Sequence, residues 1–246
     1  MKPTLLGSTP LYAQVEAGLA AEIASGALPT GGQLPAEEQL MGRFGVSRTT
    51  LRKAIENLVG RGLVEIRRGK GTFVAQPRLT QELTQLTGFA EDMIVLGKNP
   101  TARLLDKRIV EADSTVAQQL NLPVGAKVYR IERLRLADGV AMSFDETYLP
   151  LDIGEKVVSH DLDVEPIFDL LENKYLVPLI EARYQLEAVT AEANVAAALG
   201  VKVGAPIFLI VRTSFTLGGK PIDYEKLFYR GDLIRFSTTL LRPARQ

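Results

Sequence analysis

QLPAEEQLMGRFGVSRTTLRKAIENLVGRGLVEIRRGKGTFV, residues 33–74, holds two short helical patterns joined at a Gly-centred turn and followed by a basic hairpin pattern. Leu34, Leu40, Met41 and Phe44 recur at helical spacing. Pro35 suits a first helical position, and Glu37 and Glu38 suit the positive end of the helix dipole. Gly45 is expected to stop this helix and Ser47 to N-cap the next, which should run to about Arg61. There Leu51, Ile55, Leu58 and Val59 form one apolar stripe, and Arg48, Arg52 and Lys53 lie opposite. A helix that presents its first turn to DNA offers backbone N–H groups and hydroxyls to phosphates, and its arginines can pair bidentately with guanine. Ser47, Arg48, Thr49, Thr50 and Arg52 supply both.

Beyond Gly62, Leu63 to Ile66 is strand-like, 67–71 is a Gly-flanked turn, and Thr72 to Val74 is a second strand. A hairpin tipped by Arg67, Arg68 and Lys70 suits a phosphate backbone or the adjacent minor groove. An amphipathic helix from about Pro10 to Ser25, with Leu11, Val15, Leu19 and Ile23 at i, i+4 spacing, closes the small core. The whole predicts a winged helix-turn-helix over 1–75. A basic helix face alone would be read as a solvated one; the caps, the turn and the hairpin together argue for double-stranded DNA.

With 246 residues the chain has room for two ordinary domains. Residues 1–78 carry ten Lys/Arg against six Asp/Glu, while the remainder carries nineteen against twenty-three, so the basic excess sits where phosphates would need it. The chain has no cysteine, which excludes disulfides, thiolate metal sites and cysteine nucleophiles. The single histidine, His160, cannot build a multi-histidine site, and it is expected in an exposed loop. No metal, cofactor or catalytic residues are expected. No stretch approaches a membrane span or a secretory signal, so the expected location is cytoplasmic. The polar stretch 76–82 is expected to be a linker to a second domain over 83–246.

That second domain shows an internal echo. LNLPVGAKVYRIERLRLADGVAMSFDETY, from Leu120, lies over LGVKVGAPIFLIVRTSFTLGGKPIDYEKLFY, from Leu199, with a one-residue gap near the turn. Each copy reads as a helix end, a VGA turn, a strand, a Gly-containing hairpin and a second strand. Duplication is the expected origin, and independently arising hairpins are the alternative. The fold class is α+β, an antiparallel sheet carrying helices. Strand parity puts Tyr129, Ile131, Arg133 and Arg135 on one face, and Met142, Phe144, Glu146 and Tyr148 together on the partner strand. Paired arginines with a carboxylate among aromatics suggest a pocket for a small anion; an Arg/Glu pair at a sheet edge is the plainer alternative.

PLYAQVEAGLAAEIASGAL, LPAEEQL and FGVSRTTLRKAIENLVGRGLVEIRRGKGTFV, in that order, resemble the N-terminal domain of GntR-superfamily transcription regulators. The resemblance implies DNA contacts for Ser47, Arg48, Thr49, Thr50, Arg52 and Gly69, with Arg43, Arg68 and Lys70 as additions. Glu38 stands where some relatives place a base-contacting arginine, so their operator sequences do not transfer. LTGFAEDMI, the block from Leu120, FDETYLP and YRGDLIRF resemble the UTRA effector-binding domain, of chorismate-lyase fold, which together with this head marks the HutC branch.

The second resemblance implies that Arg133 and Arg135 hold an anion, with Gly88, Phe89 and Ala90 beside it and Glu146, Asp223 and Tyr229 addressing the rest of the effector. Ala90 replaces a hydroxyl of the sugar-phosphate sensors, and Pro166 and Phe168 replace a Ser/Tyr pair. With those phosphate donors missing, an organic carboxylate is favoured over a sugar phosphate. The expected function is a homodimeric repressor on a near-palindromic operator, released by a small anionic effector. A ligand-independent architectural DNA-binding protein and a lyase-like enzyme tethered to DNA are the alternatives.

Overall fold

The computed structural model describes residues 10–75 and 78–242, and the chain forms two compact units, Met1–Arg78 and Leu79–Gln246. In the first, helices α1 (Leu11–Ala24), α2 (Glu37–Phe44) and α3 (Arg48–Gly60) precede a hairpin of β1 (Val64–Arg67) and β2 (Gly71–Val74). Gly45 takes φ 64° and returns its N–H to the Met41 carbonyl. This left-handed position ends α2 at little cost only for a residue without Cβ. The first helical residue of α2 is Glu37 and Ala36 is its N-cap, so Pro35 lies before the helix rather than in it.

Val15 and Leu19 of α1 pack with Leu40, Leu51, Ile55, Leu58, Val64 and Val74, each fully buried aliphatic group contributing about 1.5–3 kcal/mol. Leu11 remains 45% exposed, because it starts the helix beyond the reach of this core. Residues 31–34 add a third, irregular edge to the hairpin, with Leu34 N–H donating to Thr72 O at 2.8 Å and Val74 N–H to Gly32 O at 2.8 Å.

The second unit begins with β3 (Leu79–Glu82), so the stretch expected as linker contributes a strand; residues 76 and 77 lie outside the described residues. β3 pairs in parallel with β10 (Ile234–Ser237) near the end of the chain. That long-range pairing is why a short polar tetrapeptide becomes a strand. Between them lie α4 (Phe89–Val95), β4 (Pro100–Glu111), α5 (Ser114–Leu120), β5 (Lys127–Ala137), β6 (Val140–Pro150) and α6 (Leu151–Val158). The chain continues through α7 (Ile167–Asp169), which runs into a π-helical turn at Leu170–Lys174, to β7 (Glu181–Thr190), α8 (Ala193–Leu199), β8 (Pro206–Phe215) and β9 (Pro221–Arg230).

β4 to β9 form one antiparallel sheet in the order β4-β5-β6-β9-β8-β7. The run β4-α5-β5-β6 is repeated as β7-α8-β8-β9, and the copies meet at β6 and β9, where Glu146 faces Lys226. The repetition reaches single hydrogen bonds. Gly125 N–H donates to Ala112 O and Gly204 N–H to Ala191 O, both at 2.8 Å. Helices α5 and α8 cover one sheet face, against Val128, Tyr148 and Tyr224 and against Leu134 and Phe144. α6 and α7 cover part of the other, around Ile131 and Leu149. A Cβ on Gly154 of α6 would lie 2.4 Å from the Tyr129 ring, so only glycine lets that helix sit so close to β5.

Both hairpins carry a β-bulge at the same place. Arg135 pairs with Ser143 while Leu136 pairs with Ala141, leaving Met142 as the extra residue; Ser214 pairs with Asp223 while Phe215 pairs with Pro221, leaving Ile222. A bulge shifts register by one and exchanges the faces of everything beyond it. Arg133 therefore stands opposite Asp145, not Phe144. Glu146 stands opposite Glu132 and turns to the face away from the arginines.

Candidate nucleic-acid face and anion cavity

In the first unit Ser47 N-caps α3, its Oγ accepting the Thr50 N–H at 3.2 Å. Ser47, Arg48, Thr49 and Arg52 are exposed and Thr50 is half-buried. Glu37, at the start of α2, reaches both arginines. Arg52 Nε donates to Glu37 Oε1 at 3.2 Å, and Arg48 Nε lies 3.7 Å from Oε2. The N-terminal two turns of α3 thus display two guanidiniums steered by one carboxylate. Arg52 also borders a cleft of about 500 Å³ shared with Arg68 and Gly69 of the hairpin tip. The tip is formed by Gly69, at φ 74°, and braced by Gln33, which donates to the Lys70 carbonyl at 2.8 Å. Arg68 and Lys70 are exposed. Arg43 is not brought to this group: it pairs with Glu22 of α1 and stacks on Phe44.

The second unit holds a partly open cavity of about 180 Å³ between the sheet, the start of α4 and α7. This is close to the ~150 Å³ that holds a single benzene ring. Gly88, Phe89, Ala90, Arg133, Arg135, Phe168 and Tyr229 all line it. Glu146 and Asp223 do not. Glu146 accepts from Arg130 Nη2 at 2.8 Å on the opposite face, the consequence of the bulge at Met142. Asp223 shares a strand face with Glu225 but stands outside the lining, where its Oδ1 accepts the Ser214 N–H at 3.0 Å. Burial, with Glu225 nearby, pushes its carboxyl up to about 7.

Four polar strand residues of the lining escape a reading by strand parity alone: Asp145, Tyr184, Arg212 and Glu225. A signal for Arg212 was available, since it occupies the place of Arg133 in the second copy of the repeat. The two copies use their arginines differently. Arg212 is bound to Glu225 through Nε at 2.9 Å and through Nη2, gives Nη1 to the Thr87 carbonyl at 3.1 Å and the Tyr184 hydroxyl at 3.3 Å, and stacks on Phe168 at 4.5 Å. Glu225 also accepts from Thr147 Oγ1 at 2.9 Å; burial raises its carboxyl, but Arg212, Arg133 and the hydrogen bonds together hold it below the usual range.

Arg133 is only 2% exposed, yet its Nε and Nη1 have no partner, and the Nε of Arg135 has none. Burial first, then the charge of Arg135, pushes the Arg133 guanidinium down to about 9. Arg135 stacks on Phe89 at 4.9 Å and leaves 3.9 Å between its Nη1 and Asp145 Oδ2. Asp145 is tied by Ser143 Oγ at 2.8 Å, and burial pushes its carboxyl up. Buried N–H donors without acceptors are costly, and an anion seated against them would supply the missing partners.

His160 departs from its expected exposure. Its side chain is 9% exposed, Nδ1 meets Glu165 at 3.0 Å and Nε2 meets the Tyr175 hydroxyl at 2.8 Å, so the loop before α7 is pinned. Among the described residues no cluster of His, Cys, Asp or Glu has the makings of a metal site, and no helix is long and apolar enough to cross a membrane.

Residues 11–74 match the model of bacterial regulatory proteins of the gntR family, and residues 95–235 match the UTRA domain. The HTH-type transcriptional repressor NagR of Bacillus subtilis is 36% identical over 231 residues, covering 92% of this chain and 93% of its own. The HTH-type transcriptional regulator Rv0792c of Mycobacterium tuberculosis is 33% identical over 240 residues, covering 96% and 88%. The crystal structure of PhnF from Mycobacterium smegmatis superposes with a TM-score of 0.68 at 27% identity, covering 93% of this chain and all of that one.

Proposed function

This chain belongs to the GntR family of bacterial regulatory proteins, with a UTRA domain behind its DNA-binding head, and from that premise we propose a homodimeric repressor of the HutC type, acting in the cytoplasm and governed by a small organic anion. That it is a DNA-binding transcriptional regulator and not an enzyme follows from the family itself. The effector is our reading, carried by one observation: Arg133 and Arg135 hold buried N–H groups without partners beside a partly open cavity.

Charge favours a monoanion. With Arg212 paired to Glu225, Arg133 and Arg135 are left with Asp145, a local excess of one positive charge that a single carboxylate matches, although Glu91, Asp92 and Asp169 make the lining as a whole acidic. A dianionic phosphate would overshoot it, with Glu91 and Asp92 also lining the wall. Ala90 and Phe168 offer no side-chain hydroxyl. An organic carboxylate therefore fits the donors better than a sugar phosphate does. One head spans too few base pairs for useful specificity, so two heads on a near-palindromic operator complete the reading. To empty a nearly full operator the effector must favour the released state by about 5 kcal/mol.

The test is a fluorescence-anisotropy titration of the protein on the intergenic DNA upstream of its own gene at physiological salt, repeated with small carboxylates and sugar phosphates. Tight binding weakened by a carboxylate is expected. Weak, salt-governed binding that no compound alters would replace this reading with a ligand-independent architectural role.

A further inference from the structure

The ribbon of β3 and β10 touches the cavity wall through both of its strands. On β3, Gln81 is 5% exposed and donates from Nε2 to Asp92 of α4. The other oxygen of Asp92 accepts the Thr87 hydroxyl at 2.6 Å, and the Thr87 carbonyl accepts Arg212 Nη1 at 3.1 Å. Thr87 leads directly into Gly88, Phe89 and Ala90 at the cavity. On β10, Phe236 packs edge-on against Tyr229 of the cavity wall at 5.3 Å and against Phe208 at 5.4 Å.

Gln81 is an expensive residue for this position. Its Oε1 is buried without a partner, so an apolar side chain of the same length would spare the fold an unsatisfied acceptor. What the glutamine adds is a directional link between the first strand of the second unit and the helix whose first residues form the rim. β3 starts at Leu79, the first residue of that unit.

We propose that Gln81 is a positioning residue that carries the occupancy of the cavity into β3, and through β3 into the segment that leads to the DNA-binding head. An anion drawn onto Arg133 and Arg135 resets the Thr87–Ala90 turn; Asp92 moves with that turn, and Gln81 moves with Asp92. The inference rests on the anion-responsive reading above, and it assigns the coupling to a residue that touches neither the cavity nor DNA.

The test compares full-length wild type with Gln81→Met, and with Gln81→Asn as a milder change that also shortens the reach to Asp92. Amide exchange is first followed without ligand over Leu79–Glu82 and Thr87–Asp92, with β6 as the internal control. Exchange about tenfold faster in both segments, with β6 unchanged, is expected; rates equal to wild type would overturn the relay whatever the ligand is. Benzoate and glucose 6-phosphate then serve as carboxylate and phosphate probes in calorimetry and in anisotropy titrations on operator DNA. The probe that weakens wild-type DNA binding about tenfold should weaken that of the variants less than about threefold, while binding them within about threefold of wild type. Variants that bind the probe and respond as fully as wild type would overturn the proposal. Should neither probe move wild-type DNA affinity, the anion-responsive reading fails for these two classes, and the ligand-free exchange decides the relay alone.

Discussion

Replacing Arg133 with methionine should make the unliganded protein more stable while abolishing its response to effector. The fold holds this guanidinium near 9, well below its ordinary range, with burial as the main cause and Arg135 the second. At 1.36 kcal/mol per pH unit, keeping it charged at neutral pH costs the fold roughly 5 kcal/mol. The attractions of Asp145 and Glu225 are already included in that balance. Methionine fills a similar volume and has no donor to leave unpaired. Relaxation around the site absorbs part of the cost, and exchanges of buried ionic groups for apolar ones typically gain about 1–4 kcal/mol. For a unit of this size that raises Tm by about 3–15 °C. The sign can be checked through pH. A cation whose native pKa is depressed leaves the native state with fewer protons than the unfolded chain from about pH 9 up to the ordinary guanidinium range. Wild-type stability therefore gains from Arg133 as pH rises through that window, and the variant lacks this gain. Urea denaturation followed by circular dichroism, at pH 7 and again above pH 9, measures both. A variant less stable than wild type at pH 7 would refute the claim that this arginine is held uncompensated.

Arg212→Met should do the opposite, costing about 3–5 kcal/mol by stranding the Glu225 carboxylate, and Arg212→Met/Glu225→Met should recover most of the loss in the same denaturation assay. Asp223→Asn, which keeps the Oδ1 acceptor for the Ser214 N–H, should raise stability at pH 8. The native carboxyl is held near 7 against an ordinary 3.8, so the native state binds more protons than the unfolded one across that window. Stability then falls with rising pH by up to about 1.4 kcal/mol per unit, and a variant with the same slope would refute this. On the DNA side, Arg52→Ala should abolish operator binding while leaving effector binding intact, as read by anisotropy and calorimetry. Lys70→Ala should weaken all sequences alike and lower the salt slope by about one.

The first unit was legible because its signals are local. Gly45, Ser47 and the hairpin turn each act within four residues of themselves, and the helix ends fall within about a turn of where caps and periodicity put them. The exceptions are Arg43, whose partner Glu22 comes from another helix, and Leu11 beyond the edge of the core. In the second unit the repeated hairpins were legible and their faces were not. Alternation assigns the side chains of one strand, but which residues share a face across two strands depends on register, and one extra residue at Met142 exchanged Glu146 for Asp145. β3 stayed hidden because its partner lies about 155 residues away and its own residues are polar.

The two arginine–carboxylate pairs occupy equivalent positions of the repeated unit, and they divide the work. One arginine answers to its own glutamate and serves the architecture. Its twin has an aspartate occupied elsewhere and stays available. With both copies in one chain the two places need not match, so one arginine closes on its glutamate while the other keeps its donors unpartnered.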